Sequence, residues 1–110
     1  MNNLKQYQTI GKWLEKYGGL LTFHQREVME RHYFYDLTQQ EIADDLQISK
    51  SAVHEIIAIC GEKLAEYEKV LHINELEGRL LELLERLESA DAKTRAELLR
   101  EIKELIHHGL

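Results

Sequence analysis

Four polar residues stand where they could grip a phosphate or read a base edge: Gln39, Lys50, Ser51 and His54. Lysine can neutralise a phosphate or donate to guanine, serine can donate to a phosphate oxygen, and histidine can reach a base edge. Gln39 follows Thr38 at a helix start, where free backbone N–H groups can hold a phosphate. Each has a plainer assignment beside this one. Thr38 is also an ordinary helix cap, and Lys50, Ser51 and His54 also suit a solvated first turn.

No other grouping points to chemistry. The six histidines (24, 32, 54, 72, 107 and 108) form no metal-ligand pattern. His24 and His32 are eight residues apart and lack a third ligand in register. Cys60 falls on an apolar stripe and reads as core rather than nucleophile. Trp13 reads as packing at an edge or interface. Asp44 and Asp45 read as a solvated helix face, not a catalytic pair. No glycine loop could cradle a phosphate. The residues therefore imply no enzyme, no metal and no cofactor.

The elements that must position the four residues run from Thr38 to Ile57, TQQEIADDLQISKSAVHEII. Thr38 and Glu41 make a capping box, so a helix starts at Gln39. Ile42 and Leu46 share its buried face. Ala43 falls where a second helix would cross most closely. Ile48 plugs the turn. Ser49 is an N-cap, so the second helix starts at Lys50. Val53, Ile56, Ile57 and Cys60 continue its inward face, which leaves Lys50, Ser51, His54 and Glu55 outward. Two short helices joined this way are a helix-turn-helix, whose second helix meets a major groove.

The flanks read as helices too. Tyr7, Ile10, Leu14 and Tyr17 repeat at three and four over residues 3–17. Gly18-Gly19 ends that helix, with a left-handed glycine cap as the expectation. Thr22 and Gln25 form a second capping box and open a helix to Tyr33. Leu64, Tyr67 and Leu71 carry the second motif helix on to about His72, across Gly61. Ile73, Leu76, Leu80, Leu83 and Leu87 then make a heptad seam, broadened by Leu81 and Leu84. Ser89-Ala90-Asp91 breaks it, and a last helix follows with Leu98, Leu99, Ile102, Leu105 and Ile106 inward.

Composition agrees. The 110 residues contain no proline, and Glu, Leu and Lys abound, as an all-helical chain requires. The chain is long enough for one small domain with a modest core, or a domain plus a helical extension. The domain expectation is residues 1–73 for the helix-turn-helix with its leading helices and 74–110 for the extension. One cysteine excludes an internal disulfide and fits a reducing cytoplasm. No apolar run is long enough to span a membrane, and MNNLKQYQ has no apolar signal segment. Net charge is −6, and residues 38–65 carry two basic against five acidic groups. That balance argues against strong non-specific nucleic-acid binding, which rests on Lys and Arg.

The stretch LLTFHQREVMERHYFYDLTQQEIADDLQISKSAVHEIIAICGEKL resembles region 4 of bacterial sigma factors. With EKLAEYEKVLHI, the leading helix and an acidic helical tail, the chain resembles the YlxM family of small bacterial proteins. The resemblance covers about Leu4 to Ile73. It implies an all-α, sigma-region-4-like helix-turn-helix fold with a helical C-terminal extension. It also implies an accessory or regulatory role in the signal recognition particle pathway. The partners that follow are nucleic acid (DNA or the particle's RNA), the particle's protein, and a second copy of the chain through the leucine-rich tail. Gln47 departs from the helix-turn-helix pattern, in which a glycine supplies positive φ at that point, and should cost roughly a kcal/mol. An adaptor that keeps the helices as scaffold and binds only protein is the alternative.

Overall fold

The computed structural model describes residues 2–109, Asn2 as backbone only. Six α-helices and no strand occur among them: α1 Asn2–Tyr17, α2 Phe23–Tyr33, α3 Gln39–Leu46, α4 Lys50–Leu71, α5 Ile73–Glu88 and α6 Ala92–His108. The chain forms two compact units, Met1–Leu71 and His72–Leu110.

The caps explain the helix starts of the first unit. Thr22 accepts the Gln25 N–H while the Gln25 side chain accepts the Thr22 N–H, the reciprocal box expected there. Thr38 and Glu41 do the same at α3. Ser49 Oγ accepts the Ala52 N–H at 3.0 Å and opens α4. The end of α1 differs from expectation. Gly18–Leu20 is a 3₁₀ turn, and neither Gly18 nor Gly19 has positive φ. A Cβ at Gly18 would meet Leu14 Cδ1 at 3.4 Å, an ordinary van der Waals contact, so neither φ nor space demands glycine there.

Two apolar clusters hold this unit. Leu14, Tyr17, Leu21, Met29, Cys60 and Leu64 form one, with Ile10, Trp13 and Tyr33 packed on it. Val28, Ile42, Ala43 and Val53 form the other, with Leu46, Ile48 and Ile57 against it. Adjacent residues Val28 and Met29 thus send α2 into both clusters, and α4 spans both. Polar ties lock the layers. Tyr17 donates to the Glu68 carboxylate at 2.5 Å. Arg31 joins α2 to α3 through Asp45 at 2.7 Å and also meets Glu27 at 3.2 Å. The Tyr7 hydroxyl sits 2.6 Å from the His32 carbonyl, 2.9 Å from Asp36 Oδ1 and 3.2 Å from the Tyr33 carbonyl. Burial and the Asp36 carboxylate push its pKa up to about 12.

In the second unit, α5 and α6 are joined by three residues and pack on each other. Asp91 accepts the Thr94 N–H at 2.8 Å and caps α6. Leu83 and Leu98 are buried, and Leu76, Leu80, Leu87, Ile102 and Leu105 half-buried. Three positions of the expected seams are exposed instead: Ile73, Leu99 and Ile106. Leu99 and Ile106 each follow a covered leucine by one step, and 100° of helical rotation carries them out of the contact. Leu81 and Leu84 are exposed for the same reason.

Candidate nucleic-acid interface

The turn between α3 and α4 sets where the second helix points. Leu46 ends α3, and Gln47 takes the left-handed conformation at φ 56°, ψ 46°. The N–H groups of Gln47 and Ile48 both reach the Ala43 carbonyl, so the carbonyl end of α3 is satisfied within the turn. Ile48 folds back on the second cluster, as its place in the turn requires. Ala43 is 1% exposed and Val53 0%, so both lie at the crossing of the helices. The turn glutamine thus keeps the positive φ that glycine supplies more cheaply.

Lys50, Ser51 and His54 are all exposed on the first turns of α4. Lys50 and His54 stand four apart on one stripe, and Ser51 lies beside them. Gln39 is the first residue of α3 and half-buried, so it belongs to a second helix start and offers less surface.

Three of the five acidic residues nearby already have a task. Glu41 closes the box on Thr38, and the hydrogen bond from the Thr38 backbone holds its carboxyl below the usual range. Asp45 is paired with Arg31. Asp44 accepts from the Gln40 amide at 2.9 Å. Glu55 is exposed beside Ser51 on α4.

Past His54 the same stripe continues to Ala58 and Glu62, and both line a groove of about 830 Å³ between α1 and α4. Its apolar wall includes Ile10, Trp13, Ile57, Gly61 and Ala65, and Lys5 stands on the α1 side. Across α1 a smaller groove carries Lys5 and Lys12 with Tyr33 and Phe34. Lys5 therefore borders both grooves. Spacing alone hides this adjacency, because Lys5 and Ala58 come from helices far apart in the chain. No group of three His, Cys, Asp or Glu residues among those described is placed to hold a metal ion.

Other side chains that shape this unit had no local signal. Arg31 meets Asp45 across 14 residues and Tyr7 meets Asp36 across 29. Asp36 adopts φ 54°, and its own carboxylate accepts from the Tyr7 hydroxyl. Burial lowers the His32 pKa, partly offset by a Leu37 backbone hydrogen bond and the Asp36 charge. His32 Nδ1 is buried without a hydrogen-bond partner among the described residues. Burial likewise raises the Cys60 thiol, with Lys63 pulling the other way.

Residues 4–105 match the family described as "Putative helix-turn-helix protein, YlxM / p13 like". A UPF0122 protein of Symbiobacterium thermophilum is 38% identical over 87 residues, 79% of this chain and 81% of the relative. One of Mycoplasma capricolum is 30% identical over 105 residues, covering 96% and 92%. One of Clostridium kluyveri is 34% identical over 101 residues, covering 88% and 91%. No solved structure matches the chain.

Proposed function

We propose that this chain, which belongs to the UPF0122 family of YlxM/p13-like helix-turn-helix proteins, is a nucleic-acid-binding regulatory or accessory protein rather than an enzyme. The observation that carries the reading is the exposed Lys50, Ser51 and His54 face on a helix set by a satisfied left-handed turn. Lys50 meets a phosphate or guanine, Ser51 a phosphate, and His54 a base edge. Gln39 contributes at the start of α3. The resemblance to sigma region 4 and YlxM proteins makes the signal recognition particle's RNA a target to set beside duplex DNA, and the single cysteine fits a cytoplasmic protein. The acidic balance makes binding modest and salt-sensitive. A homodimer, built on the α5–α6 unit, would present two such faces to paired half-sites.

The test is fluorescence anisotropy with duplex DNA and with the particle's RNA, each over a range of salt. Binding to either that weakens with salt, and a Lys50→Ala variant whose log–log slope is shallower by about one, support the reading. No binding to either probe at low salt refutes it.

One observation favours a protein partner instead. The groove between α1 and α4 is apolar, with Trp13, Ile10 and Ile57 along it and small Ala58 and Gly61 on one wall. Such a groove suits an amphipathic helix, including one from the particle's protein. Capture of that protein from nuclease-treated lysate, lost on Ala58→Glu, favours the adaptor. Capture that needs intact nucleic acid favours the first reading.

A further inference from the structure

The α5–α6 hairpin has two unlike edges. In antiparallel helices that share a seam, the residue one step past a seam position points to the same edge in both. Reversing a helix reverses the sense in which its side chains advance, so the two sets meet on one side. Leu81, Leu84, Leu99 and Ile106 are each one step past a covered leucine, and they are 58%, 47%, 44% and 64% exposed. One step before the seam stand Arg79, Glu82 and Glu101, and these make the opposite edge polar. Arg79 pairs with Glu101 at 2.6 Å and with Glu82 at 3.5 Å.

Arg79 and Glu101 stand equally far from the Ser89–Asp91 connection, which fixes the level of every other residue. Counting outward the same way puts Leu81 level with Leu99. Ile73 falls within one residue of Ile106. The same row also carries charge, and its two halves differ in sign. Glu77 and Glu88 follow half-buried Leu76 and Leu87 on α5, Arg95 and Lys103 follow half-buried Thr94 and Ile102 on α6, and exposed Glu85 lies further round α5. Glu77 is level with Lys103, and Glu88 falls within one turn of Arg95.

We infer that this apolar edge is covered by the same edge of a second copy, with α5 of each hairpin lying on α6 of the other. This deepens the homodimer reading above and rests on it. A two-fold axis parallel to the helices makes such a four-helix bundle, with every neighbour antiparallel. The apolar row is self-complementary, as an isologous contact demands. The charges choose between the two possible pairings. Laying α5 on the partner's α6 brings Glu88 toward the partner's Arg95 and Glu77 toward the partner's Lys103. Laying α5 on α5 would set carboxylates against carboxylates and cations against cations, and like charges face to face oppose association.

The test is light scattering after size exclusion at several concentrations, on the full chain. Wild type runs as a dimer. Leu84→Glu with Leu99→Glu gives a monomer. Two further variants change only exposed charges and keep the fold: Glu77→Lys with Glu88→Lys, and Arg95→Glu with Lys103→Glu. Each alone weakens self-association by about tenfold or more. Mixed together they restore a dimer, one of each, because the reversed α5 now meets a reversed α6. Glu97→Lys, on the polar edge, changes nothing. A wild type that stays monomeric at every concentration removes the dimer reading itself. A dimer indifferent to the leucine and charge variants leaves that reading standing and refutes this face. Charge variants that each dimerise alone and gain nothing on mixing refute the α5-on-α6 pairing.

Discussion

Gln47 holds the left-handed conformation at φ 56° with a side chain that must clear the following carbonyl. Glycine at that position relieves the strain at the expense of a more flexible unfolded chain. Gln47→Gly should therefore raise stability by about 1 kcal/mol, read as a higher urea midpoint at unchanged m-value. A lower midpoint would mean that the glutamine side chain itself holds the turn. Tyr7 makes the opposite case. Its hydroxyl lies among three acceptors at the end of α2, and Tyr7→Phe leaves them without it. A loss of about 1 kcal/mol is expected, since the site is partly open to water. An unchanged urea curve would show that water replaces the hydroxyl at no cost. The two residues also differ in how readable they are. Gln47 stands at a marked place in a known pattern, so its strain is visible from the sequence. Tyr7 and Asp36 are 29 residues apart, and nothing local joins them.

At the scale of elements, α3 and α4 begin at the residues the caps dictate, Gln39 and Lys50. Ala43 is 1% exposed at their crossing. Ala43→Leu should cost about 1–3 kcal/mol by forcing the helices apart, and a thermal melt reads it. A melt that does not move would place the crossing elsewhere. The α1–α2 contact carries a pH dependence through His32. Burial lowers its pKa below the ordinary 6.5, so the folded state resists the proton that the unfolded chain accepts. Stability is then full above pH 6.5 and falls as the pH drops through that value toward the lowered one. Glu41 and Asp91 are also held low, by backbone hydrogen bonds from Thr38 and Thr94, and their contributions go at more acid pH. Melts between pH 7.5 and 5 should show a decline that His32→Phe flattens. A His32→Phe protein with the same decline would assign it to other groups. Capping boxes and the α3–α4 turn are local and so were legible in the sequence, whereas the 3₁₀ turn at Gly18–Leu20 was not. The tail was legible only as helices. Leu98 and Leu99, or Leu105 and Ile106, are adjacent and equally apolar, and only the pairing of α5 with α6 decides which of each is covered.

For the whole molecule, charge and shape pull in different directions. A net charge of −6 disfavours a polyanion, although Asp45 is paired with Arg31, which also meets Glu27, and the Glu41 carboxylate is turned back onto its cap. What remains outward at the start of α4 is Lys50, Ser51 and His54, with Glu55 beside them. The first three also head a stripe that runs through Ala58 to a groove bordered by Lys5. Affinity on such a surface comes from few cations, so it must respond to the loss of even one. The most direct measurement compares wild type with a Lys50→Ala/His54→Ala variant in nucleic-acid binding across a salt titration. Weaker binding of the variant at low salt and a log–log slope shallower by about one are expected. Equal affinity and equal slope for the two proteins would contradict binding through this face.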